Sequence, residues 1–147
     1  MDTSSFFIYP NSSIEPASTA GFLDDASEKE WDELLSYVQT RHLRAGETVF
    51  TAGDVDRALY LLTAGRLEQR STHAPATTIA APATLNELAF LDGGHCTTTA
   101  RAVTEGELLR LSYDAFESLA AREPHLARKI LLDLGSDLAR RLRAAGQ

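Results

Sequence analysis

Hydrophobic residues recur every three or four positions at both ends of the chain, the spacing that lines one face of a helix. Near the start, Ser27-Glu28-Lys29-Glu30 has the form of a capping box, and the spacing after it predicts a helix over residues 27–40. The face that this helix buries consists of four apolar residues: Trp31, Leu34, Leu35 and Val38.

Near the end of the chain, the spacing of apolar residues predicts one helix around residues 113–121 and a last helix around residues 124–144. This last helix opens at Pro124, because proline suits a first helical turn.

The last predicted helix carries a row of apolar residues four positions apart: Leu126, Ile130, Leu134, Leu138 and Leu142. Such a row packs either on the protein's own core or on a partner helix, and the spacing leaves both alternatives open. Gly135 interrupts the row, which weakens a long coiled coil and favours close packing or a kink. Three arginines near the C-terminus are interpreted as cations that favour the helix dipole: Arg140, Arg141 and Arg143.

Between residues 41 and 111 the pattern changes to short β-prone runs separated by glycine turns. Clear examples are residues 48–50 and 58–62, with Gly46, Gly53 and Gly65 in the neighbouring turns. Many short strands at even spacing predict a sandwich or a barrel. A helix, then strands, then helices is the order of an α+β fold, which is the fold class that we predict.

Three separated blocks of sequence carry a family resemblance. Residues 41–54 (RHLRAGETVFTAGD) and 58–68 (ALYLLTAGRLE) match patterns of the form G-E-x-(I/L/V)-(F/Y)-x-x-G-D and (L/M)-Y-x-(I/L)-x-x-G-x-(V/L). Residues 85–103 (LNELAFLDGGHCTTTARAV) match F-G-E-(L/M)-A-(L/F)-x-x-x-x-x-R-(S/A/T)-A-x-V-x-A in part. Over residues 22–142 the chain resembles the cyclic nucleotide-binding domain of catabolite activator proteins, protein kinase A regulatory subunits and gated channels. The resemblance implies an antiparallel, jelly-roll-like β-roll flanked by an N-terminal helix, a short internal helix and C-terminal helices.

Residues 85–103, the cassette, resemble the segment that binds the cyclic phosphate in this family. The resemblance assigns Glu87 as the acidic residue that holds the ribose. It places Asn86 where binding members have glycine and Cys96 where they have the arginine that clamps the phosphate. The remaining candidate binding residues that it implies are Leu88, Ala89 and Thr97.

The cysteine changes what the cassette is expected to bind. A guanidinium donates two hydrogen bonds to a phosphate and neutralises its charge, and a thiol does neither. Loss of one partner of a buried charge pair costs about 2–5 kcal/mol, so we expect nucleotide binding to be lost and the cassette to be vestigial. Neither neighbour replaces the clamp, because His95 offers only a partial charge and strand alternation places Arg101 on the face opposite Cys96.

Two other cassette residues have alternative interpretations. Asn86 tolerates the left-handed backbone region, so the turn survives, but its side chain is expected to occupy space that a phosphate needs. Glu87 is also favourable at a short helix N-terminus whether or not a ligand binds.

The composition indicates one domain, at residues 22–147, preceded by a tail at residues 1–21. The chain has 147 residues, 44% of them hydrophobic, and a formal net charge of -7. The tail is rich in Ser, Thr, Asn and Pro, and its apolar patch at residues 6–9 serves either as a partner-docking arm or as an anchor on its own domain. A single cysteine excludes an internal disulfide, and no secretory signal or membrane-spanning run is found, so we expect a cytoplasmic location and no membrane insertion.

Nucleic-acid binding and catalysis are not expected from the sequence. The acidic net charge argues against a DNA partner. The chain also ends at Gln147, directly after the helix that leads into a DNA-binding domain in this family's transcription factors. Four scattered histidines and one cysteine form no metal-ligand spacing, and no nucleophile or phosphate-loop motif is found.

These observations support two main hypotheses. The first is a non-enzymatic structural or interaction subunit of a larger bacterial assembly, such as a transporter complex or a phage-tail-like particle, with no cofactor. It would contact protein partners through residues 1–21 and the C-terminal helix, and a homo-oligomer is compatible with it. The second is a stand-alone sensor of cAMP, cGMP or another anionic small molecule. A third hypothesis, a redox sensor at Cys96, requires a lowered thiol pKa.

Overall fold

The computed structural model describes residues 22–146. Its helices are α1 (Glu28–Leu35), α2 (Glu87–Asp92), α3 (Tyr113–Arg122) and α4 (Pro124–Gly146). Its strands are β1 (Gln39–Leu43), β2 (Thr48–Phe50), β3 (Ala58–Ala64), β4 (Arg66–Ser71), β5 (Ala74–Ala80), β6 (Ala83–Leu85), β7 (Thr99–Ala102) and β8 (Gly106–Ser112).

The strands form two antiparallel sheets of four strands each. Their orders are β1-β8-β3-β6 and β2-β7-β4-β5, so the chain crosses repeatedly from one sheet to the other. In the first sheet Tyr60 lies between Arg110 of β8 and Leu85 of β6. The predicted α+β fold, a β-roll with an N-terminal helix, a short cassette helix and C-terminal helices, is confirmed.

Strand β3 is buried on both faces because it lies between two apolar cores. Alternate side chains of a strand point to opposite faces of its sheet. Tyr60 and Leu62 face the interior of the roll, whereas Leu59 and Leu61 face the helices. This explains why the β3 sequence is a continuous apolar run rather than an alternating one.

Helix α1 begins with the predicted capping box and ends earlier than predicted. Ser27 Oγ accepts from the Glu30 N–H at 3.1 Å, and the Glu30 carboxylate accepts from the Ser27 N–H at 3.0 Å. The helix ends at Leu35 rather than near residue 40, because Ser36 caps it by donating from its hydroxyl to the Glu33 carbonyl. Val38, predicted on the buried helix face, instead packs from the connection into β1.

Helix α4 begins at Pro124 as predicted and continues to Gly146. The first three members of its apolar row, Leu126, Ile130 and Leu134, are buried in the core beneath the helices. The row therefore packs on its own domain over this part, while Leu142 is 73% exposed. Gly135 lies within the continuous helix and does not interrupt it.

The segment before α1 and the helix α1 itself are each tied to α4 by one polar contact. The Leu23 N–H donates to Asp133 Oδ2 at 2.8 Å, and Lys129 Nζ donates to Glu30 Oε1 at 2.8 Å. Leu23 is fully buried although its φ of 54° lies in the left-handed region, so the surrounding contacts hold it there.

Two further expectations from the sequence concern the tail and membrane spans. The tail at residues 1–21, with its apolar patch, lies outside the described residues. Within residues 22–146, no helix combines the length and the apolar character that a membrane span needs.

Candidate functional site

The cassette helix α2 begins after a residue in the left-handed conformation. Asn86 has φ 66° and ψ 26°, and its side-chain amide donates two 2.9 Å hydrogen bonds, to the main-chain oxygens of Asp56 and Ala58. Asn86 therefore adopts the left-handed turn that was predicted for it. Its side-chain amide, however, is bonded to the main chain at the start of β3.

Glu87, the first residue of α2, is buried and already bonded. Only 8% of its surface is exposed. Its Oε2 atom accepts from the Thr84 hydroxyl at 3.0 Å and from Arg141 Nη2 at 2.6 Å. A buried carboxylate that accepts a charge-assisted hydrogen bond is held in a fixed orientation.

The second partner of Arg141 is on its own helix. Asp137 Oδ2 accepts from Arg141 Nε at 3.0 Å and from Nη2 at 2.6 Å. Burial opposes the charged form of the guanidinium, but the carboxylates of Glu87 and Asp137 outweigh it and raise the pKa of Arg141. Arg141 thus stays a cation between two carboxylates at the point where α4 crosses the cassette.

A pocket of about 100 Å³ opens beside this ion pair. Its lining comes from β4, the cassette and α4: Gln69, Asn86, Glu87, Leu88, Thr97, Thr98 and Arg141. Most of these side chains carry a hydroxyl, an amide or a charge, so the pocket suits a polar ligand with both hydroxyl and anionic groups. The structure brings together four of the predicted site residues, Asn86, Glu87, Leu88 and Thr97.

The other two predicted residues do not line the pocket. Ala89 is buried within α2. Cys96 is 3% exposed and packs in the core between the two sheets. Burial, together with the nearby Asp56 and Asp54, raises the pKa of its thiol. This direction is opposite to the one that the redox-sensor hypothesis requires.

Arg101 and His95, the neighbours considered as replacements for the clamp, also lie outside the pocket lining. Arg101 is exposed on the outer face of its sheet and donates to the Gly46 carbonyl at 3.0 Å. Arg101 and the buried Cys96 therefore face opposite ways as predicted, but not through strand alternation, because Cys96 lies in the loop before β7. His95 is exposed at the surface of the cassette loop.

Sequence reasoning missed Arg141, which it interpreted only as a cation near the helix end. One feature of the sequence could have indicated that Arg141 has a partner elsewhere in the fold. Asp137 and Arg141 continue the buried face of α4, because they follow Ile130 and Leu134 at steps of three and four. Charged residues at positions of a buried stripe indicate partners across the fold.

Comparison with known proteins identifies the family to which this fold belongs. The family described as "Cyclic nucleotide-binding domain" matches residues 40–123, more than half of the chain. This chain belongs to the cyclic nucleotide-binding domain family. The resemblance recognised in the sequence is confirmed.

Individual members of the cyclic nucleotide-binding domain family are similar over most of this chain. The cyclic AMP receptor protein of Thermus thermophilus is 37% identical over 122 residues, which are 80% of this chain and 55% of that protein. The crystal structure of the Thermus thermophilus catabolite activator protein has a TM-score of 0.74 at 30% identity, covering 85% of this chain and 59% of that one. The N-terminal domain of a transcriptional regulator from Streptomyces coelicolor has a TM-score of 0.70 at 26% identity, covering 84% and 89%.

The prediction that excluded a DNA partner is wrong. Relatives of this cyclic nucleotide-binding domain include a catabolite activator protein and a transcriptional regulator. The chain spans only about half the length of the curated relative that it matches, so its length does not support the exclusion. Its acidic net charge does not either, because a net charge does not describe the charge of any one surface.

The names of these relatives are those of receptors and regulators rather than enzymes. Within residues 22–146, no three His, Cys, Asp or Glu side chains come together in a way that could hold a metal ion.

Proposed function

We propose that this domain binds a cyclic nucleotide in the pocket between the cassette and α4, and that it acts as a non-enzymatic sensing module. The observation that carries the proposal is the pocket itself, which Glu87 and Arg141 line together. Membership of the family supports the ligand class, and the Thermus thermophilus relative is named a cyclic AMP receptor protein.

Glu87 is suited to hold the sugar of such a ligand. An ionised carboxylate only accepts hydrogen bonds, so it pairs with hydroxyl groups and repels phosphate. Its side chain is 10% exposed, and the hydroxyls of Thr97 and Thr98 line the same pocket. The ribose hydroxyls of a cyclic nucleotide match this set of groups.

Arg141 supplies the cation that is missing at position 96, where the resemblance places the clamping arginine. Its side chain is 36% exposed, which leaves part of the guanidinium facing the pocket. A guanidinium offers five N–H donors in a planar fork, so it can keep a carboxylate partner while it donates to a phosphate oxygen. In this arrangement the phosphate charge is neutralised from α4 rather than from the loop that carries Cys96.

The existing ion pair sets a limit on the affinity. Arg141 is shared between Glu87 and Asp137, so a ligand phosphate competes with two carboxylates for the same cation. Interactions that already exist in the free protein must be rearranged on binding, which reduces the net gain. We therefore expect weaker binding than a dedicated clamping arginine would give.

Calorimetric titration of the whole chain with cAMP and with cGMP tests the proposal. Saturable binding that disappears in Glu87→Ala supports it. Absence of heat at millimolar ligand, in protein whose circular dichroism shows it to be folded, contradicts it.

One observation favours a second candidate, a structural or interaction subunit that keeps the fold without a ligand. The usual position of the clamp is occupied by Cys96, which is buried away from the pocket, and Glu87 is already bonded within the protein. In that case the Glu87–Arg141 pair only fixes α4 on the roll. The same titration separates the two candidates.

A further inference from the structure

The N-terminal end of the cassette helix is held by a short stretch of main chain, residues 56–58, which we call the anchor segment. Two carbonyls of this segment, those of Asp56 and Ala58, accept hydrogen bonds from Asn86 Nδ2. Glycine at position 86 would allow the same left-handed turn but would make neither bond. The asparagine therefore adds an attachment of the helix to the start of β3.

The C-terminal end of the same helix is held by the side chain of Arg57, the central residue of the anchor segment. Arg57 Nε donates to the Phe90 carbonyl at 2.9 Å, and Nη2 donates to the Leu91 carbonyl at 3.0 Å. Carbonyls in the last turn of a helix have no partner within the helix, so Arg57 supplies the donors that they lack. The guanidinium also lies against Gly93, where a Cβ would be 3.4 Å from Arg57 Cζ.

Arg57 joins this end of α2 to the following helix as well. Its Cζ lies 3.5 Å from the centre of the Tyr113 ring, and its carbonyl accepts from the Tyr113 N–H at 2.9 Å. Phe90 of α2 packs edge-on against Phe116 with 5.3 Å between ring centres. These contacts attach the end of α2 to the beginning of α3.

We propose that Asn86 and Arg57 are positioning residues that fix the cassette helix on the β-roll and on α3 before any ligand binds. Two contacts at each end restrain a helix of only six residues, which has little stability of its own. Glu87 and Leu88, which line the pocket, are held in place as a consequence. This role concerns the free protein and does not depend on the proposed function.

Hydrogen exchange of the whole chain without ligand tests the role directly. Asn86→Asp keeps the size of the side chain and its tolerance of the left-handed region, but turns the donor into an acceptor that faces two carbonyls. Arg57→Gln removes the fork at the other end, and Arg57→Lys keeps the charge without the planar fork. We expect the amides of residues 90–93 to exchange at least about tenfold faster in Asn86→Asp and Arg57→Gln, and less so in Arg57→Lys.

Amides of β3 and β8 serve as the internal reference, and Arg128→Gln, at an exposed position of α4, is the matched control. Faster exchange confined to α2 supports the positioning role. Unchanged exchange in α2, or equal acceleration of α2 and β3, overturns it, because the residues would then be dispensable or would only add to global stability. Should Asn86→Asp fail to fold, Asn86→Gly provides the same readout, since glycine keeps the turn and removes only the amide.

Discussion

Arg141 of α4 donates a 2.6 Å hydrogen bond to the carboxylate of Glu87 in the cassette helix, 54 positions earlier in the chain. This contact joins the C-terminal helix to the residue that the family resemblance assigns to the ribose. It also places a guanidinium in the lining of the pocket, whereas Cys96, at the position that the resemblance assigns to the clamping arginine, is buried outside that lining.

Replacement of Arg141 by glutamine should destabilise the fold. The change leaves the buried carboxylates of Glu87 and Asp137 without their common cation, and loss of a partner by a buried polar group costs about 1–3 kcal/mol, with more for a charged group. Urea denaturation measures the loss. Arg140→Gln is the matched control, because Arg140 is 63% exposed and lies 3.6 Å from Asp137, so it should change stability by less than about 0.5 kcal/mol. Equal effects of the two variants would show that the Arg141 contacts contribute nothing specific.

Replacement of Cys96 by arginine should destabilise the domain rather than restore a clamp. The thiol is 3% exposed in the core between the sheets, so the much larger arginine side chain would overpack the core and bury a charge, while the nearby Asp56 is already paired with Arg110. Overpacking of a core and burial of a charge are both among the changes with large costs, here at least about 2 kcal/mol. Thermal unfolding checks this, with Cys96→Ala as the control for loss of the thiol alone. A Cys96→Arg protein that is as stable as the wild type and binds cyclic nucleotide more tightly would mean that this side chain reaches the pocket.

The contribution of Asp133 to the free energy of unfolding should fall as pH rises through the acidic range. Burial, opposed by the hydrogen bond from the Leu23 N–H and reinforced by the charges of Asp25 and Asp24, raises the pKa of Asp133 above its ordinary value of 3.8. Between that ordinary value and the raised one, the folded state binds more protons than the unfolded state, so this group's contribution to stability falls with increasing pH.

Asp133→Asn removes this titration while its amide oxygen still accepts from the Leu23 N–H. We expect the free energy of unfolding of the variant, relative to the wild type, to rise from pH 3.5 to pH 6 in urea titrations. A difference between the two proteins that stays constant over this range would contradict the assignment. Lys129, four positions earlier, should be left intact, because its charge lowers the pKa of Asp133.

Local signals in the sequence were enough to predict where helices and strands lie and to identify part of the candidate site. The capping box at Ser27 depends only on neighbouring residues, and the cassette pattern placed Glu87 and Asn86 at the start of α2. Contacts that cross the fold were not predictable in this way. The carbonyl partners of Asn86 lie 28 and 30 positions away, and the role of Arg141 depends on where α4 crosses the cassette. The exclusion of DNA failed for a different reason, since it relied on the chain's length and net charge rather than on a contact.

The most direct test of the central claim compares cAMP and cGMP binding by the wild type, Arg141→Gln and Arg140→Gln in calorimetric titrations of folded protein. If Arg141 is the cation of the pocket, the wild type binds one of the two nucleotides saturably and Arg140→Gln binds it within about twofold. Arg141→Gln should bind at least about tenfold more weakly, a loss of about 1.4 kcal/mol or more. Equal affinities of all three proteins, or no binding by the folded wild type at millimolar ligand, would contradict the account.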